Sequence, residues 1–173
     1  LPLDVLYPTL QSRLDMFHGQ YRLFISSVMT ALNTSLNGYG WCVGQMILGG
    51  SYAQYALGID HAWHAGRDMD VQLRLMPREG ADPISPELLG FVQRILQNEC
   101  AACLDPQAIR SLKIPPQPGV MWSAWANIKL GDLDLTVTLP SVLPVSVAGS
   151  LCLYPAPLNM QRSWISNADA LAI

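Results

Sequence analysis

Asp68-Met69-Asp70-Val71-Gln72-Leu73-Arg74-Leu75-Met76 is the stretch on which the reading of this chain turns. Val71, Leu73 and Leu75 alternate with Asp68, Asp70, Gln72 and Arg74. Residues two apart share a face in a β-strand, so this pattern predicts one apolar face and one polar face. Asp68 and Asp70 then stand side by side. Paired carboxylates repel one another unless a cation lies between them. Hard oxygen donors in that arrangement suit Mg²⁺ or Mn²⁺. Taken alone, the segment fits an ordinary solvated strand face equally well, so its surroundings must decide.

Upstream, Trp41 to Leu48 reads as a buried strand that delivers the chain to a Gly49-Gly50-Ser51 turn. Ser51 to Leu57 can begin a short helix stopped by Gly58, and residues 59–67 have no clean period and read as a loop. Further back, Leu14, Phe17, Tyr21, Phe24, Ile25, Val28, Leu32 and Leu36 recur at helical spacing, which predicts an amphipathic helix over 12–36 ended by Asn37-Gly38. Downstream, Ser85-Pro86-Glu87 is a helix start, with Ser85 as cap, and the stripe Leu88, Val92, Ile95 and Leu96 carries that helix to about residue 103. Ile114 to Gly119 is a proline-rich rigid loop. Trp125 to Leu130 and Leu133 to Leu139 read as strands joined by a tight turn at Gly131-Asp132. Residues 140–173 hold four prolines and little period, so no element is assigned there. The expected fold is α/β (α+β), a small mixed sheet with helices on one side.

The second strand of that hairpin supplies a third acid. Asp132 belongs to the turn, where Gly-Asp is favoured for its backbone shape. Asp134 lies within the strand, sharing a face with Thr136 and Thr138, and is the preferred candidate. At the glycine turn, Gly50 would let backbone approach a phosphate closely, with Ser51 and the start of the helix donating hydrogen bonds. The Lys-Ser/Thr ending of a P-loop is missing. Arg67 and His64 precede the acidic pair and could meet phosphate oxygens, although a surface ion pair suits Arg67 as well.

A Gly-Ser turn, Asp-x-Asp leading a strand and a third strand acid, in that order, resemble the DNA polymerase beta-type nucleotidyltransferase superfamily. The resemblance spans roughly residues 41–139. Sixteen residues separate Ser51 from Asp68, more than in many members. The antibiotic-modifying branch, which nucleotidylates aminoglycosides and lincosamides, has a longer gap. Its Gly-Gly, Leu-Gly and His look like Gly49-Gly50, Leu57-Gly58 and His64 here. The resemblance implies transfer of a nucleoside monophosphate from an NTP to an acceptor hydroxyl, in a small molecule, a protein or an RNA. It implies Asp68, Asp70 and Asp134 as catalytic and metal-binding residues for two Mg²⁺ (or Mn²⁺) ions. Gly49, Gly50, Ser51 and Arg67 would serve the nucleotide. A catalytically degenerate core acting as an interaction or regulatory module is the competing expectation.

Composition sets the outer bounds. The 173 residues suit one nucleotidyltransferase-like domain with a sizeable core, and 50% apolar against 13% charged excludes a disordered chain. So low a charge points to surface covered by a further domain or partner, and a chain beginning at Leu1 reads as a piece of a longer one. No uninterrupted apolar run is long enough for a membrane helix. A net charge of −3, with ten scattered basic residues, gives no support to broad nucleic-acid binding. His61, His64, Cys100 and Cys103 form a conceivable zinc set, but Cys100 and Cys103 continue the stripe of the second long helix and read as core. Cys42 and Cys152 read as buried thiols. His18 falls on the polar side of the first helix, where exposure is expected. Trp63 is the one tryptophan placed to stack on a base or substrate ring.

Overall fold

A computed structural model of the chain describes residues 8–58, 63–83, 85–102, 124–138 and 150–154. The order of elements is α1 (Pro8–Leu36), β1 (Trp41–Gly49), α2 (Gly50–Ala56), β2 (Met69–Pro77), α3 (Pro86–Ala102), β3 (Ala124–Leu130), β4 (Leu133–Thr138) and β5 (Leu151–Tyr154). The strands form one mixed sheet in the order β3-β4-β2-β1-β5. Only the β2–β4 pairing is parallel; the other three are antiparallel. The α/β (α+β) class with a small mixed sheet is therefore what the chain adopts. The Ile114 to Gly119 loop lies outside the described residues.

One hydrophobic core joins the helices to the sheet. From α1 it takes Leu14, Phe17, Ile25, Val28 and Leu32, and from α3 Leu88, Val92 and Leu96. The sheet contributes Met46 and Leu48 of β1, Met69, Val71, Leu73 and Leu75 of β2, and Leu133, Leu135 and Val137 of β4. Each large side chain so removed from water contributes about 1.5–3 kcal/mol, which is why the period-2 and period-3.6 stripes find one another. The alternation on β2 thus sends its apolar residues to this core and leaves Asp70, Gln72 and Arg74 on the opposite side of the strand.

Local chemistry sets the boundaries. Ser85 Oγ accepts a hydrogen bond from the Leu88 N–H at 3.2 Å, the N-cap expected of it. Gly40 takes a left-handed conformation after the 3-10 turn Asn37–Tyr39 that closes α1. Gly131 has a φ of 59° in the two-residue turn between β3 and β4. In β1 the register slips between Val43 and Gln45, and there the buried Asn33 of α1 takes the Val43 N–H through its Oδ1 at 2.7 Å. A β-bulge leaves a ladder donor without its strand partner. Here a helix side chain supplies the acceptor.

Two expectations need correction, and one unassigned segment holds a strand. His18 is only 5% exposed and sets its ring edge-on to Phe17, because Leu14, His18, Tyr21 and Ile25 follow one face of α1 at spacings of four, three and four. Of this pair, Cys152 is exposed on the edge strand β5 and Cys42 is a buried thiol; both are free. Residues 140–173 do contain an element, since Leu151–Tyr154 adds to β1 as an antiparallel edge strand. Four residues are too few to show a period. Among the described residues no helix is long and apolar enough to cross a membrane.

Candidate functional site

Parallel pairing of β2 with β4 puts Asp70 opposite Asp134, while antiparallel pairing of β1 with β2 puts Gly49 opposite Asp70. The end of β1, the start of β2 and the start of β4 therefore converge on one point of the sheet. There, one carboxylate oxygen from each of Asp68, Asp70 and Asp134 lies within 4.8 Å of the others, all three side chains being half-buried. The sheet beside them is not a solvated face. Gln72, two residues along β2, is 1% exposed and donates from Nε2 to Thr138 Oγ1 at 2.9 Å. Farther along, Arg74 donates to Gln45 Oε1.

Gly50 has a φ of 65°, a conformation that side chains rarely adopt, and a Cβ built on it would collide with the Asp70 carboxylate. Glycine is therefore required here twice over, by the turn and by the acid that rests against it. Ser51 follows directly at the start of α2, half-buried. Burial, then the neighbouring charges of Asp134 and Asp68, raise the Asp70 carboxyl from 3.8 to about 6, with Lys129 opposing the shift. A carboxyl so perturbed in a group of like charges holds its proton to higher pH than an isolated one.

Asp132 and Asp134 occupy different positions, Asp134 in the acid cluster and Asp132 in the hairpin turn. Asp132 is a clamp: its backbone carbonyl accepts the Met69 N–H at 2.7 Å, its Oδ2 accepts the Gly66 N–H at 3.1 Å, and its own N–H donates to Tyr21 Oη at 3.0 Å. The hairpin turn and α1 together thus fix the segment that enters β2 and carries Asp68. Arg67 is exposed in that segment, with its N–H bonded to the His64 carbonyl at 3.1 Å. His64 is exposed, its Nδ1 3.0 Å from the Ala65 carbonyl. His61, Cys103 and the Cys100 side chain lie outside the described residues, and with them the zinc set. Trp63 packs on the chain's own aromatic residues, at 4.7 Å from Tyr52 and 5.4 Å from Tyr55 between ring centroids. Its half-buried ring belongs to that cluster.

Sequence reasoning missed Lys129. Its Nζ forms an ion pair with Asp68 Oδ1, and its own backbone stands opposite Asp134 in the β3–β4 ladder. The hydrogen bond to Asp68 and the field of all three acids raise its pKa. The signal was present, because a two-residue turn at Gly131-Asp132 pairs Leu130 with Leu133 and Lys129 with Asp134 by counting outward. Compared with known proteins, the chain matches no family model and no curated protein.

Proposed function

We propose that this chain is a nucleotidyltransferase that moves a nucleoside monophosphate from an NTP to an acceptor hydroxyl and releases pyrophosphate. One observation carries the reading: Asp70 and Asp134 from two neighbouring strands meet Asp68, just before β2, and the Asp70 carboxylate rests where a Cβ on Gly50 would lie. Hard carboxylate oxygens, a raised Asp70 and a partly closed surface fit Mg²⁺ or Mn²⁺ better than they fit a surface without ligand. Asp68, Asp70 and Asp134 would hold two such ions. Bound there, the metal would supply charge neutralisation for the triphosphate and acidify the attacking hydroxyl. Asp134, on its own strand, would orient that hydroxyl and take its proton. Gly49, Gly50 and Ser51, beside Asp70, would receive the β and γ phosphates, and Arg67 would add positive charge one residue from Asp68. The acceptor hydroxyl belongs to a small molecule, a protein or an RNA.

Lys129 favours a second reading, a degenerate core in which an ammonium has permanently replaced a metal and the domain serves regulation or assembly. Label transfer separates the two. With Mg²⁺ and a lysate, α-³²P from one of the four NTPs should reach an acceptor and γ-³²P should not, because attack at the α-phosphorus discards the γ label in pyrophosphate. Transfer of the γ label would instead mark a kinase. Asp134→Ala should abolish the transfer, whereas Asp132→Asn should be mild, since Asn retains an acceptor for Gly66. Absence of α-label transfer in small-molecule, protein and RNA fractions would favour the degenerate core.

A further inference from the structure

Lys129 reaches its partner by an unusual route. It stands on β3, and Asp68 precedes β2; the sheet order places β4, with Asp134, between them. Strands lie about 4.8 Å apart, so backbones two strands apart are separated by roughly 10 Å, and the Lys129 and Asp68 side chains reach toward one another to close that gap. Its ammonium thus lies at the acid cluster, feeling Asp68, Asp134 and Asp70 together. Both members of the pair are open to solvent, 40% for Lys129 and 45% for Asp68. Ion pairs so exposed are weakly held, and a four-carbon stem moves without disturbing the sheet.

We propose that Lys129 is a tethered cation that occupies Asp68 in the metal-free protein and is displaced when a divalent ion loads, so that it sets the metal concentration at which the site fills. This rests on the reading of Asp68, Asp70 and Asp134 as metal ligands. An ammonium and a divalent ion cannot share one carboxylate oxygen at contact distance, since like charges that close repel strongly even when half-solvated. Asp68 has a second oxygen, but an ammonium held on Oδ1 repels a divalent ion on the same carboxylate, so loading the site favours opening of the Lys129–Asp68 pair. The freed ammonium stays beside the site, where the negative charge of an arriving triphosphate compensates it. Metal alone therefore competes with Lys129, and metal accompanied by nucleotide competes less.

The test is a Mn²⁺ titration of the metal-stripped full chain, read from the electron paramagnetic resonance of free Mn²⁺. The wild type is compared with Lys129→Gln, Lys129→Met, Lys129→Arg and Asp70→Asn, with folding checked by far-ultraviolet circular dichroism. Removing the competing charge in Lys129→Gln or Lys129→Met should tighten Mn²⁺ by about tenfold, the scale of losing one partly screened like-charge neighbour. Lys129→Arg keeps the charge and should stay within about twofold of the wild type. Unchanged or weaker binding in both neutral variants overturns the displacement, while loss of binding in Asp70→Asn leaves the metal reading standing. Binding by the neutral variants alone supports both inferences. If no folded variant binds Mn²⁺, both fail together.

Discussion

Asp70 concentrates the physical tension of the site. Its carboxyl is raised from 3.8 to about 6 by burial and by two neighbouring acids, so the folded chain holds this proton more tightly than the unfolded chain does. Between those values stability falls as pH rises, because the native state binds more protons than the unfolded state. The full penalty applies above about 6. Asp70→Asn removes it, so in chelator the variant should melt higher than the wild type at pH 7–8. That gain should shrink as pH falls and vanish below 3.8, as thermal melts across the pH range will show. A gain independent of pH would mean that charge is not its cause. Gly50→Ala acts on the same carboxylate by sterics. It places a Cβ against Asp70 at a φ of 65° and should cost about 1–2 kcal/mol in backbone strain alone, measured by urea unfolding. Displacement of Asp70 should also weaken Mn²⁺ binding, which a purely local strain would leave unaltered.

Between elements, two polar contacts of α1 bear directly on the site. Asn33 ties α1 to the β1 bulge through the Val43 N–H, and Tyr21 ties α1 to the β3–β4 turn through Asp132. One fixes the strand that leads to Gly49; the other fixes the turn that holds the segment before Asp68. Asn33→Leu removes the acceptor from a buried N–H and should cost about 1–3 kcal/mol in urea unfolding. Loss of less than that would show that water or a shifted backbone satisfies Val43. Two boundaries were legible because capping and turn chemistry are local: Ser85 caps α3, and Gly131 turns the hairpin, as their residue types require; α1 starts at Pro8 and β2 at Met69, not at the expected 12 and 68. β5 was illegible because a four-residue edge strand owes its existence to the open edge of β1. His18 was misassigned because its polarity was read in place of its position on the helix. Its neighbours at three and four residues already placed it on the buried face.

For the whole molecule, the decisive fact is which strands become neighbours. The sequence by itself determined the α/β (α+β) class, because alternating and helical apolar stripes can be buried in few ways. It also placed Asp70 on a strand with Asp68 at its entry, Asp134 within the next hairpin, and the glycines at the end of β1, since each depends on residues close in sequence. Lys129 opposite Asp134 lay within reach of the same hairpin arithmetic. Tertiary structure alone decided that β4 lies beside β2 in parallel, so that Asp70 meets Asp134 across 64 positions of sequence. It alone set Gly50 against Asp70 and raised that carboxyl, and it alone brought the Lys129 ammonium to Asp68. Secondary structure follows short-range sterics and hydrogen bonding, which a linear pattern records. The meeting of charges follows from long-range strand pairing driven by burial of the opposite face, and no local pattern encodes it.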